Sequence, residues 1–262
     1  MRVIIVKDYE EMGRRAAKIV SDRLRRKPDL TLGLATGSTP MGMYKELIKA
    51  HKEKELDFSR VRSFNVDEYC GLSSDHPQSY HYFMWNGLFN HINIKPENVY
   101  IPEGEVGNAQ AFCNWYEQKI KEEGGIDLQV LGIGRNGHIG FNEPGSSLDS
   151  RTKIATLTQE TIEDNSRFFE SKEDVPRFAI TMGLGTILEA RECLLLASGA
   201  NKAEGIQRCI QGPVSAETTA SLLQLHPRVI VIVDEEAAKN LKWRNYYKHA
   251  ERMVEKRESE EK

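Results

Sequence analysis

Short apolar runs rich in branched side chains alternate with longer segments in which apolar residues recur every three or four positions. The runs at 3–6, 30–34, 61–65, 128–133, 193–197 and 229–233 read as strands, and the last, VIVIV, suits a strand covered on both faces. Helical periodicity marks 9–26, 41–51, 79–88, 109–123, 182–190, 203–210 and 235–243. Strand and helix take turns along the chain, which predicts an α/β fold: an open, mostly parallel sheet with helices on both faces.

Two stretches break the alternation. Residues 66–78 read as a polar loop after a strand, and 134–178 combine a glycine-rich turn with the charged insertion ESKEDVPRF. A long insertion beside a site in such a fold reads as a lid. No linker composition divides the chain, so 1–245 read as one domain with the lid at 157–180. Residues 246–262 read as a charged C-terminal tail, a solvated helix fraying at its end.

With 262 residues, 39% of them hydrophobic, the chain can bury a sizeable core. The formal charge of −3 and the lack of a basic stripe argue against a nucleic-acid partner, so any bound phosphate needs cations gathered locally. Cys70, Cys113, Cys193 and Cys209 stand far apart, which disfavours zinc and a redox dithiol and points to free thiols in the cytoplasm. Residues 1–6 are too short for a signal core, and no apolar run approaches a membrane span. His76 and His81, near Asp75, lack metal-ligand spacing, so no metal is expected.

Ligands of open α/β sheets sit beyond the carboxyl ends of the strands, and four unusual segments fall there. Thr36-Gly37-Ser38-Thr39-Pro40 leads into a helix, with Pro40 in its first turn and Thr39 as its N-cap. Its backbone N–H groups and hydroxyls suit an anion; an ordinary tight turn and cap would look the same. Next comes Asn65-Val66-Asp67-Glu68-Tyr69. Two adjacent acids on extended backbone point opposite ways, so one of them, Asp67, can reach the crevice as a base. By position alone, a strand-end carboxylate more often caps or forms an ion pair than acts as a base.

The third segment, 132–145, holds the letters G-x-G-x-x-G, but Pro144 and Gly145 prevent the helix that a dinucleotide fingerprint requires. His138 and Glu143 on this loop could pair for proton transfer, or His138 could serve buried carbonyls. The fourth is a pair of cations, Arg167 and Lys202, the latter in the first turn of a helix, where a positive charge suits a bound anion. No G-x-S-x-G elbow appears.

Together TGSTP (36–40), NVDEY (65–69), GIGRNGHIGFNEPGSSL (132–148), NSRFF (165–169) and LQLHP (223–227) resemble the glucosamine-6-phosphate deaminase family, a likeness running to about residue 243. The resemblance implies a Rossmann-like parallel sheet without a nucleotide, and conversion of glucosamine 6-phosphate to fructose 6-phosphate and ammonia without a cofactor. It implies that Asp67 moves a proton from C2 to C1 of the open sugar and that His138 opens the ring, oriented by Glu143 and Asn136. Thr36, Gly37, Ser38, Thr39, Gly137, Arg167 and Lys202 become substrate and phosphate contacts, and 159–179 the mobile lid.

An unperturbed aspartate is a feeble base, so Asp67 is expected in a partly apolar setting near Phe64 or Tyr69. Two departures stand out. Some members place Asp where this chain has Asn136, and a neutral amide cannot offset charge on His138. Residues 150–155, SRTKIA, put Ala155 where relatives activated by N-acetylglucosamine 6-phosphate carry a second basic residue, so neither that activation nor the accompanying hexamer is expected. The sequence leaves monomer and homo-oligomer open. A 6-phosphogluconolactonase is the competing enzyme, but it has no use for a C2 base. A non-catalytic sugar-phosphate sensor would ordinarily bring a helix-turn-helix, which is absent from the sequence.

Overall fold

The computed structural model describes residues 1–260. The chain opens with β1 (Arg2–Val6), α1 (Tyr9–Arg26), β2 (Thr31–Leu34), α2 (Met41–Lys52), β3 (Arg62–Asn65), β4 (Asp67–Tyr69) and α3 (Tyr80–Gly87). It continues through β5 (Val99–Tyr100), α4 (Ala109–Glu122), β6 (Leu128–Leu131), β7 (Lys153–Thr156), α5 (Gln159–Ser166), β8 (Phe178–Thr181) and α6 (Leu184–Leu188). Last come β9 (Cys193–Ala197), α7 (Ala203–Gln211), β10 (Val229–Asp234) and α8 (Arg244–Glu260).

Seven strands form one sheet in the order β1-β10-β9-β6-β2-β3-β5, and every pairing in it is parallel. Alternation along β10 shows why such strands are apolar throughout. Val229, Val231 and Val233 enter the core on one face, and Ile230 and Ile232 enter the core on the other. A side chain of this size contributes about 1.5–3 kcal/mol when fully buried, so a strand with two apolar faces is held from both sides.

From β2 the chain builds outward through β3 and β5; from β6 it builds the opposite way through β9 and β10. β2 and β6 lie side by side, so the loops after them flank the point where the strand order reverses. The TGSTP turn and the NGH loop are those two loops.

Four expectations need correction. The stretch after β3 is not all loop: Asp67–Tyr69 pairs antiparallel with β8, which pairs in turn with β7. This second sheet was missed because its strands are three or four residues long and mix polar with apolar positions.

The expected helix at 235–243 is a run of turns instead, and the last helix starts at Arg244. Asp234 accepts the N–H of Ala237 at 2.7 Å, and the adjacent Ala237 and Ala238 are both fully buried, which suits tight turns better than one helical stripe. Nor is the C-terminal helix merely solvated. Its Glu251 is buried, receives two hydrogen bonds of 2.7 Å from Arg2, and also pairs with Arg15 of α1.

Fourth, Thr39 does not cap α2; Pro40 occupies the cap position without a side-chain hydrogen bond.

Candidate active site

A cavity of about 600 Å³ opens over the carboxyl ends of the central strands. Its lining includes Thr36, Gly37, Ser38 and Thr39 after β2, Asp67 after β3, His138 after β6, Arg167 after α5 and Lys202 after β9. Asn136, Glu143 and Gly137 are absent from this lining and stand behind it. The tertiary fold thus brings eight of the eleven candidate residues to one hollow and sets three in support.

The 36–39 turn is fixed from α1. The Tyr9 hydroxyl donates to the Ser38 carbonyl at 2.8 Å and accepts the N–H of Gly42 at 2.8 Å. Tyr44 donates from below to the carbonyl of Ala35. Lys202, also in the lining, stands at the start of α7 as the cap residue of that helix. Burial lowers its pKa; Asp164 acts the other way, and Arg167 and Arg135 add to the lowering. A cation held in poor solvation among other cations favours an anionic ligand.

Asp67 is 7% exposed. Burial, and secondarily the neighbouring Glu68 charge, push its carboxyl up to about 8, which turns a feeble base into a competent one. The partly apolar setting comes from Val66, Tyr69 and Tyr80, all facing the same cavity; Phe64 packs in the core with Tyr116 instead.

His138 rides on a loop closed by a 2.9 Å bond from the Gly134 N–H to the His138 carbonyl. The imidazole lies against Gly134, where a Cβ would fall 2.4 Å from the ring, so no larger residue fits. Glu143 Oε2 is 3.2 Å from His138 Nδ1, close enough to pair in charge although the contact lacks hydrogen-bond alignment. Asn136 touches the pair from one side. Its Nδ2 donates to Glu143 Oε2 at 3.1 Å and its Oδ1 accepts the backbone N–H of His138 at 3.1 Å, so it steadies the carboxylate and the loop, not the ring.

Burial alone would raise the Glu143 carboxyl, but His138, Thr161 and Asn136 together hold it down at about 2. Gly137 has a φ of 89° and would drive a Cβ to 2.6 Å from the Thr218 methyl, and its carbonyl accepts the N–H of Ala220. Its glycine is required by the turn, not by cavity contact.

Several cavity residues were not anticipated. Tyr80 and Phe141 stack with ring centroids 6.2 Å apart, and Tyr69 lies against both. Ser198 follows β9, and Asp164 and Asn165 descend from α5. No local pattern marks Tyr80; it arrives only because α3 folds back over β4. Thr158 and Thr161, which both donate to Glu143 Oε1, had a faint signal, since Thr158 is the N-cap of α5.

A glycine-containing turn, two cations, a raised carboxylate and a paired imidazole share one cavity on a parallel sheet, the groups that a sugar-phosphate-processing α/β protein requires. The family model described as glucosamine-6-phosphate isomerases/6-phosphogluconolactonase matches residues 8–232, and the chain belongs to that family. It is 58% identical to the glucosamine-6-phosphate deaminase of Thermoanaerobacter pseudethanolicus, over 91% of this chain and 94% of that one. It is 54% identical to the enzyme of that name from Clostridium perfringens, over 92% of this chain and 100% of the other. Among solved structures, a monomeric glucosamine-6-phosphate deaminase superposes with a TM-score of 0.90 at 47% identity, covering 92% of this chain and 100% of that one. The 6-phosphogluconolactonase of Trypanosoma brucei shares the fold, with a TM-score of 0.73 at 18% identity, covering 92% of this chain and 98% of the other.

Proposed function

We propose that this protein converts glucosamine 6-phosphate and water to fructose 6-phosphate and ammonia. The observation that supports it most is a single cavity holding a basic carboxylate, a carboxylate-paired imidazole and an anion-binding end.

The phosphate rests on the 36–39 turn between Lys202 and Arg167. His138 takes the O1 proton of the pyranose and delivers one to O5, which breaks the C1–O5 bond and leaves an aldehyde at C1. Only then is the C2 hydrogen acidic. Asp67 removes it, the C2–H electrons form the C1=C2 bond, and a proton of the substrate's own ammonium moves to O1. Asp67 returns its proton to C1, giving an iminium at C2. Water adds there and ammonia leaves. Each positioned proton transfer is worth about 10²–10⁴ in rate. Electrons and atoms balance without a redox partner, since the substrate supplies its own carbonyl.

Glu143 stabilises the protonated imidazole and Asn136 holds Glu143. Residues 157–180 act as the lid of a single domain spanning 1–245. Four free cysteines fit a reducing compartment, and we assign the reaction to cytoplasmic breakdown of N-acetylglucosamine.

The test is ammonia release from glucosamine 6-phosphate by the purified chain, set against acid release from 6-phosphogluconolactone. Ammonia without acid is expected. Acid without ammonia would reverse the assignment.

A further inference from the structure

Glu68 sits next to Asp67 on β4, yet takes no part in the chemistry above. Successive strand residues face opposite ways, so Asp67 looks into the cavity and Glu68 into a separate hollow on the far side. Glu68 is 1% exposed. Its Oε1 accepts the N–H of Tyr69 at 2.8 Å and of Tyr80 at 2.9 Å, and its Oε2 accepts that of His81 at 2.8 Å. Tyr80 and His81 are the first two residues of α3, whose orphan N–H groups need acceptors. Among the described residues no Lys or Arg pairs with Glu68. A buried carboxylate bound wholly through backbone N–H groups keeps its charge uncompensated by any side chain.

Resting on the deaminase reading above, we propose that Glu68 is a positioning residue of that reaction: from the far face of β4 its carboxylate anchors the first turn of α3, and with it Tyr80, over Asp67, and its uncompensated charge bears on the Asp67 carboxylate one residue away.

Both effects follow from where the groups lie. Tyr80 reaches the cavity as the first residue of α3, and its ring packs on Tyr69 at 4.9 Å between centroids, so releasing the first turn releases the ring that excludes water from Asp67. A like charge close by disfavours ionisation, which makes Asp67 the stronger base. Burial raises both carboxyls, but three backbone N–H groups stabilise the charged form of Glu68 and pull the other way there, which favours Glu68 as the charged member of the pair.

The other titratable groups near the pair differ by side. On the far side stand His81 of α3 and Glu103 and Glu105 after β5. On the near side stand Tyr69, Tyr80 and Tyr116, with His138, Asp164, Arg167 and Lys202 elsewhere in the cavity lining. No Lys or Arg among the described residues lines the hollow on the Glu68 side of the strand.

The experiment compares pH profiles of kcat for ammonia release in wild type, E68Q and E68D, with Tm measured alongside. The amide of E68Q keeps the shape but loses the charge and one N–H bond. Its kcat should fall about tenfold with KM held, and the acidic limb should move about one pH unit lower, since Asp67 ionises more readily but abstracts less well. E68D keeps the charge at shorter reach, so its limb should stay at the wild-type pH while kcat falls.

A lowered Tm with kcat and the limb unmoved in E68Q would reduce Glu68 to a structural residue and overturn the proposal. If E68Q does not fold, E68D decides: an unchanged kcat, or a displaced limb, overturns it. A wild-type protein that releases no ammonia would instead bring down the underlying reading.

Discussion

Thr161 donates its hydroxyl to the Glu143 oxygen that faces away from His138, so one carboxylate ties the imidazole of the NGH loop to the first turn of α5. Thr158 reinforces the tie with its own N–H and hydroxyl, at 3.3 and 3.2 Å. The segment expected to cover the substrate and the group expected to open its ring therefore share an anchor.

Thr161→Val removes the hydroxyl while keeping the shape. One charge-assisted bond to Glu143 is lost, worth about 1.5–3 kcal/mol in a buried setting, part of which will appear in the rate. We expect kcat to fall about three- to tenfold, with Thr161→Ser restoring most of it. Steady-state ammonia release measures both; a wild-type rate in the valine variant would show that Glu143 needs no hold from α5.

Asp67→Asn should abolish turnover while leaving substrate binding, a loss of about 10³–10⁴ in kcat read by ammonia release and calorimetric titration. The same change should stabilise the fold. A carboxyl pushed up to about 8 binds its proton more tightly folded than unfolded, so its contribution is lost as pH rises from the ordinary value of 3.8 through 8. The variant's Tm should exceed the wild type's at pH 8.5 and match it near pH 4. Equal Tm values at both would mean that burial of Asp67 carries no strain.

Lys202→Met keeps the length and apolar stem but removes the charge at the start of α7. KM for the sugar phosphate should rise at least tenfold with kcat reduced less, and competition by inorganic phosphate should weaken in step. A KM within twofold of wild type would move the phosphate elsewhere in the cavity.

Glu251→Ala should loosen the C-terminal helix. The carboxylate is shared by Arg2 and Arg15, whose side chains stay 30% and 25% exposed, so solvent limits the loss to about 1–3 kcal/mol. Burial alone would raise the Glu251 carboxyl, but the two arginines outweigh it and hold it low. Its stabilisation is thus present above the ordinary carboxylate range and disappears as pH falls through the lowered folded value. Thermal unfolding of the pair of proteins should converge toward pH 3 and separate by a few degrees at pH 7.

Six of the seven strands of the main sheet were legible because burial on both faces demands unbroken apolar runs, and 193–197 and 229–233 read as such directly; the two-residue, half-buried edge strand β5 was not. The helix at 9–26 was legible to the residue, since Asp8 accepts the N–H of Glu11 and acids lead while bases trail. Motifs at strand ends named Asp67 and His138 before any coordinate placed them in one cavity. The second sheet was not legible. Its strands draw their stability from one another across more than a hundred residues, as Asp67 pairs with Thr181, and leave no periodic trace in runs of three or four.

The chain's own order of residues therefore determined the parallel sheet, the helices on its faces and the chemical groups presented at its carboxyl edge, because each follows from burial and capping within a short window. Only the tertiary structure decided which groups share the cavity, that Glu143 answers to α5 as well as to His138, and how far the Asp67 carboxyl rises. Those properties depend on distance and on exclusion of water, and both are set by segments remote in the chain.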